Sequence, residues 1–339
     1  MILRTRPLQF ILSLLAMCIT PSLCPGQLQL DKGDHVAFIG NNLAERMQHD
    51  GWIETLMQAR FPKQELVFRI LGFTADEINT RPRSDGFGSP DQWLKHVKAN
   101  VVFAFFGYNE SFDGEGGLAK FKRDLAALVD HTLKQNYSGR GNAKLVLVSP
   151  IAHEDLKNPN LPDGSENNAR LALYTEAMRE VAKDKGVPFV DVFSVTKNAY
   201  AQSAKPLTIS GIHLNSEGNR VVAEAVVDGL FGEGESSLNS RQMENLRLAI
   251  IDKNFHWFSR YRTVDAYNVF GGRSRLSWHG QSNADVMMRE MEIFDVMTAN
   301  RDKRVHAIAQ GGDLKVDDSN VPPLVEVKTN RPGPLEGGK

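Results

Sequence analysis

Four short segments of the chain carry side chains that could do chemistry together: Gly40-Asn41-Asn42, Leu71-Gly72, Gly107-Tyr108-Asn109-Glu110 and Ser210-Gly211-Ile212-His213. His213 is an imidazole, which titrates near neutral pH and can take up or release a proton. Asn42 and Asn109 are amides able to hold a substrate, a water or their own loop backbone. Gly72 reads as a turn glycine, and Asn42 also suits the cap of a following helix. A second imidazole and carboxylate sit together at His153-Glu154. Glu110 and Glu154 are the carboxylates placed to orient His213. A base beside amide donors suits attack on a carbonyl. The set contains no hydroxyl or thiol at Gly40-Asn41-Asn42, and an amide cannot be activated by an imidazole into a competent nucleophile. Water activated directly by His213 is one route that these residues would allow.

The elements that must position these segments follow from hydrophobic periodicity. Short apolar runs at 35–39, 65–71, 101–106, 144–148 and 187–192 read as buried strands, and the first three end at Gly40, Gly72 and Gly107. Helical patterns occupy 43–60, 91–98, 117–135, 166–185 and 217–230. Strands alternating with helices at this spacing imply right-handed crossovers and a parallel sheet covered on both faces. Such sheets carry their chemistry in loops at the carboxyl ends of the strands. The loop at 80–90 holds Arg81 and Arg83, which read either as an anion site or as a solvated surface.

From about residue 233 the character changes. A helix at 236–253 leads into Phe255-His256-Trp257-Phe258-Ser259-Arg260-Tyr261-Arg262, a segment suited to stacking on sugar rings or to packing against the main body. Gly271-Gly272 marks a turn, 283–300 reads as a helix, and the Pro-, Gly- and charge-rich stretch from 313 is expected to be disordered. The organisation expected is a leader at 1–26, a catalytic-type domain at 32–232, a mostly helical appendage at 233–312 and a tail at 313–339.

Arg4 and Arg6, the apolar run 8–19 and the breaking segment Pro21-Ser22-Leu23-Cys24-Pro25-Gly26 have the order of a secretory signal peptide. An uncleaved anchor is the alternative, for which the run is short. Export to the periplasm or exterior of a bacterium is therefore expected, with no stable membrane span after cleavage. Cys18 and Cys24 are the two cysteines, so a chain starting near Gln27 would contain no disulfide and no thiolate metal site. The net charge of −1 argues against a nucleic-acid partner. The sequence has no His-x-x-x-His pair, calcium-loop pattern or dinucleotide glycine triplet, and neither metal nor cofactor is expected.

In the order and register of its four segments, the sequence resembles the SGNH hydrolases, also called GDSL esterases and lipases, over roughly 32–231. The resemblance implies a flavodoxin-like three-layer α/β/α sandwich on a parallel five-stranded sheet. It also implies hydrolysis of esters of small molecules or glycans. The family's nucleophilic serine would fall at Asn42, its oxyanion donors at Gly72 and Asn109, its catalytic histidine at His213 and that histidine's aspartate at Ser210. Glu110 stands where the third block has aspartate. The resemblance thus implies an ester hydrolase with a non-standard nucleophile site, or a binding module that has lost the reaction. The spelling from Phe38 to Met47 and around Arg260 to Asp265 is similar to exported bacterial proteins of this kind. Some of those carry a c-type haem module, but this sequence has no Cys-x-x-Cys-His to attach one.

Overall fold

The computed structural model of the protein describes residues 28–328. The proposed leader and the end of the tail, 329–339, lie outside the described residues. In chain order the elements begin with β1 (His35–Gly40), α1 (Asn42–Asp50), α2 (Trp52–Arg60), β2 (Val67–Ile70), α3 (Pro90–His96) and β3 (Val101–Phe105). They continue with α4 (Leu118–Thr132), β4 (Lys144–Val148), α5 (Ser165–Lys185), β5 (Phe189–Val190), α6 (Val192–Gln202) and α7 (Ser216–Phe231). The chain then runs through α8 (Ser240–Tyr261), α9 (Ala266–Val269), a small antiparallel ribbon of β6 (Ser277–Trp278) and β7 (Gln281–Ser282), and α10 (Asn283–Ala309).

The five main strands are parallel in the order β2-β1-β3-β4-β5. This is the flavodoxin-like order, and its direction reverses between β1 and β3. All of Val101–Phe105 is buried, as required of a central strand covered on both faces. Phe38 packs against Phe68, Phe103 and Phe105 at ring separations of 5.2–6.0 Å, which binds three neighbouring strands into one core.

The helix expected at 43–60 is two helices. Gly51 adopts φ +69°, ends α1 with its N–H on the Met47 carbonyl and starts α2 in a new direction. The fifth strand is shorter than 187–192, because Asp191 accepts a hydrogen bond from Ser194 N and turns the chain into α6. The aromatic-basic segment continues α8 as one helix to Tyr261. Its apolar face packs inward. Trp257 is 1% exposed, and its indole N–H donates to the Ile70 carbonyl at 2.7 Å. Tyr261 hydroxyl donates to the Leu71 carbonyl at 3.0 Å. Trp257 is therefore unavailable for stacking on a sugar.

Two buried ion pairs fix the C-terminal helices to the sheet edge. Lys253 on α8 donates to Glu54 on α2 at 2.7 Å, and Arg69 on β2 grips Asp302 on α10 through two bonds. Residues 313–328 carry no helix or strand, and Arg301 bonds back to Asp318 at 3.0 Å. Among the described residues no helix is long and apolar enough to cross a membrane.

Candidate active site

The hollow at the carboxyl ends of β1, β3 and β4 has a volume of about 190 Å³ and is lined by Asn41, Asn42, Thr74, Ala75, Phe106, Tyr108, Asn109, Ile151, Ile212 and His213, among others. It stands where the strand order reverses, the position at which sheets of this order take ligands. Gly40 makes the approach possible. Its φ is +126°, and a Cβ there would lie 2.1 Å from the Phe105 carbonyl oxygen. The same oxygen accepts the N–H of Asn41 at 3.1 Å, which locks the first loop to the end of β3.

Asn41 caps α1, its side-chain oxygen accepting from Leu43 N at 3.1 Å. Asn42 is the first residue of that helix and not its cap. Its Oδ1 accepts from the Thr74 hydroxyl at 3.1 Å, and its Nδ2 has no acceptor among the described residues. Asn109 donates from Nδ2 to the Asp76 carbonyl at 3.0 Å, which orients its amide across the loop after β2. Asn42 and Asn109 thus both present amides to the hollow.

His213 reaches the hollow from a tight hairpin. Ile209 N donates to the His213 carbonyl at 2.7 Å, Thr208 pairs with Leu214, and Gly211 turns the tip with φ +84°. Asn215 then caps α7 by accepting from Gly218 N. The turn brings Ser210 Oγ to 2.8 Å from His213 Nδ1. Burial lowers the His213 pKa from its ordinary value. The nearby Arg46 charge adds to the effect, and Glu45 opposes it. The shift favours the neutral form of the imidazole, and its Nε2 has no protein partner among the described residues.

The other residues singled out from the sequence lie elsewhere. Gly72 is buried and does not line the hollow. A Cβ there would stand 2.5 Å from Glu45 N and 2.7 Å from the Ala44 methyl, so its small size serves the packing of α1 over β2. Glu110 accepts the N–H groups of Ile78 at 3.0 Å and Gly107 at 2.8 Å. Burial raises its carboxyl pKa against the pull of those bonds. Glu154 accepts from Leu207 N, Thr208 N and Thr208 Oγ1, the last at 2.6 Å, and so fastens the base of the His213 hairpin. His153 is buried between Gly164 and Gly211, with Nδ1 3.2 Å from the Asn167 amide. Neither Glu110 nor Glu154 orients His213. The imidazole's partner is a neutral hydroxyl.

Thr74 and Ala75 line the hollow without any signal in the sequence, and Tyr108, within the third segment, joins them. They reach the hollow through loop geometry, and Ala75 does so in the left-handed region, at φ +66°. Among the described residues no group of three or more His, Cys, Asp or Glu side chains could hold a metal.

A five-stranded parallel sheet in this order, flanked by helices, is the fold of the SGNH hydrolases, and Asn42, Asn109 and His213 converge at its reversal point. The family model for GDSL-like lipases and acylhydrolases matches residues 38–221, more than half of the chain, and the chain belongs to that family. No curated protein sequence matches it. Among solved structures it is similar to a gut microbial diltiazem-metabolizing enzyme, at 16% identity and a TM-score of 0.48. That match covers 61% of this chain and 49% of the other, so the chain spans about half the length of that enzyme. It is also similar to Axe2, an acetylxylan esterase from Geobacillus stearothermophilus, at 15% identity, with 62% and 100% of the two chains covered and a TM-score of 0.47. LAE5, a hydrolase from the metagenome of Lake Arreo, Spain, matches at 19% identity over 61% and 99% of the chains, again with a TM-score of 0.47.

Proposed function

We propose that the protein is an exported ester hydrolase that cleaves small or carbohydrate-borne acyl esters without forming an acyl-enzyme. One observation carries this reading: His213, with Nδ1 fixed by Ser210, shares a hollow with the amides of Asn42 and Asn109. With Nδ1–H donating to Ser210, the Nε2 lone pair is available to deprotonate a water. That water attacks the ester carbonyl. The Asn42 and Asn109 amides stabilise the oxygen that gains charge, and the alkoxide leaves with the proton returned by the imidazolium. The ester C–O bond breaks, the carboxylic acid takes the oxygen of water, and His213 ends neutral.

A serine hydrolase that loses its nucleophile loses about 10⁶ in turnover and retains roughly 10³–10⁴ over water from its polarising groups and binding. Slow turnover is therefore expected. Purified protein should hydrolyse aryl esters with saturation, and His213→Ala should remove that activity. A rate equal to buffer across acyl chains from acetyl to octanoyl would eliminate the hydrolytic reading.

A second reading, ligand binding alone, is favoured by the hydroxyl that stands on His213 Nδ1 in place of a carboxylate. It calls for a glycan or acyl ligand whose binding is lost in Asn109→Ala while no ester is cleaved. Export rests on the basic, apolar and breaking order of residues 4–26. It calls for an N-terminus near Gln27 in the mass of the mature protein.

A further inference from the structure

Beside the hollow that holds His213 lies a second one of about 270 Å³, on the other side of the loop that follows β2. Adjacent residues divide between the two. Asn41 and Ala75 face the first, and Gly40 and Asp76 face the second. Arg81, Arg83 and Tyr261 complete much of the second wall, and its rim at Gly88 and Ser89 is exposed.

The two arginines are in opposite situations. Arg83 is satisfied: it holds the buried Asp76 carboxylate through two bonds of 2.9 and 2.8 Å, and it lies 3.7 Å over the Phe73 ring. Arg81 is half-buried with its guanidinium 5.2 Å over the Phe106 ring. A cation–π contact of this kind does not use the N–H donors of the guanidinium. Only Nε is engaged, by the Glu77 carbonyl at a long 3.4 Å. Nη1 and Nη2 have no acceptor among the described residues, and no carboxylate lies within ion-pair distance. Asp76 is spent on Arg83, and Asp91 on α3 is bonded to His131 and Tyr137. Asp85 sits on the exposed rim without an ion pair to Arg81. Burial lowers the Arg81 pKa, and the nearby Asp76 charge opposes the shift.

Arg81 lines an open hollow while its Nη1 and Nη2 are unbonded and the Asp76 carboxylate is held by Arg83, and a guanidinium fork in that state suits a carboxylate or phosphate. We propose that this second hollow is an oxyanion subsite in which Arg81 Nη1 and Nη2 bind a carboxylate or phosphate group of a ligand. Phe106 lines the first hollow while Arg81 stacks on it, so the anion is held beside the acyl cleft. The site stands on Arg81 and its surroundings and does not depend on whether His213 is catalytic.

The test is titration of the full chain with D-glucuronate, with inorganic phosphate and, as a neutral control, with D-glucose. Heat and the side-chain 15N signal of Arg81 Nε–H are followed together. Saturable binding of an anion that moves the Arg81 signal is expected, weakened about 10- to 100-fold in Arg81→Gln, the range for losing a charged hydrogen bond. Glucuronate binding without phosphate binding would identify a carboxylate ligand, and the reverse a phosphorylated one. Either outcome, or both anions binding, supports the site. Should Arg81→Gln fail to fold, the signal in the unaltered chain decides. No movement of that signal with either anion, equal binding of glucose, or anion affinity unchanged in a folded Arg81→Gln would overturn the proposal.

Discussion

Ser210 Oγ lies 2.8 Å from His213 Nδ1, so the hairpin that carries the imidazole also supplies its partner, and that partner is a neutral hydroxyl. A hydroxyl can fix the ring and its tautomer. It cannot stabilise the imidazolium as a carboxylate does. Ser210→Asp should therefore raise the His213 pKa, because an opposite charge beside the ring favours its protonated form. Proton NMR titration of the His213 ring reads this directly, and an unchanged or lower value would show that the residue 210 side chain does not face the ring.

A serine at position 42, where the family resemblance would place the nucleophile, should be reactive. Asn42 begins α1 at the mouth of the hollow, and serine there would put a hydroxyl on the same helix start. A serine-directed fluorophosphonate should leave the natural protein unlabelled, label Asn42→Ser, and label Asn42→Ser combined with Ser210→Asp faster. Intact mass spectrometry follows all three. Stoichiometric labelling of the natural protein would mean that another serine serves as nucleophile.

Acid should destabilise the fold through its histidines. Burial lowers the pKa of His35, His153 and His213 below the ordinary 6.5, with the Val97 carbonyl opposing this at His35 and Arg46 adding to it at His213. The unfolded chain then binds protons first as pH falls. The stability these residues contribute is present above about pH 6.5 and is lost as pH drops through the lowered values. Urea unfolding at pH 7.5 and 5.5 should give a lower midpoint at the acidic pH. Replacing the three with Gln should reduce the difference.

The C-terminal helices should prove integral to stability. Lys253 is 0% exposed and bonded to Glu54, so Lys253→Ala leaves a buried carboxylate alone, at a cost of about 3–5 kcal/mol. Trp257→Ala removes a 1%-exposed indole and should cost about 3–5 kcal/mol. Denaturant midpoints measure both. A loss under about 1 kcal/mol in each would show that α8 is only loosely held.

The strands and the loops of the site are legible because buried parallel strands leave apolar runs ending in glycine, as at Gly40 and Gly107, whereas the sheet order follows only from the family resemblance. Less visible were features set by one residue's backbone or by distant partners. Gly51 breaks a helix whose apolar periodicity runs on without interruption. The strand expected at 187–192 stops short because Asp191 caps the next helix through Ser194 N, a bond that apolar periodicity does not reveal. Asn42, Asn109 and His213 share one hollow, as strand-end loops and the family resemblance imply, whereas Gly72 packs against α1 and Glu154 braces the base of the His213 hairpin. Side-chain direction of that kind depends on tertiary contacts that short motifs do not encode. The uneven use of Arg81 and Arg83 likewise depends on where Asp76 is buried.

Rapid mixing of the protein with 4-nitrophenyl acetate, with intact mass measured at each time, tests the central claim most directly. Direct attack by water calls for linear nitrophenolate release above the buffer rate from the first turnover, no acetylated protein at any time, and loss of the excess rate in His213→Ala. A stoichiometric burst with an acetylated chain would contradict the mechanism, and release no faster than buffer would contradict the activity.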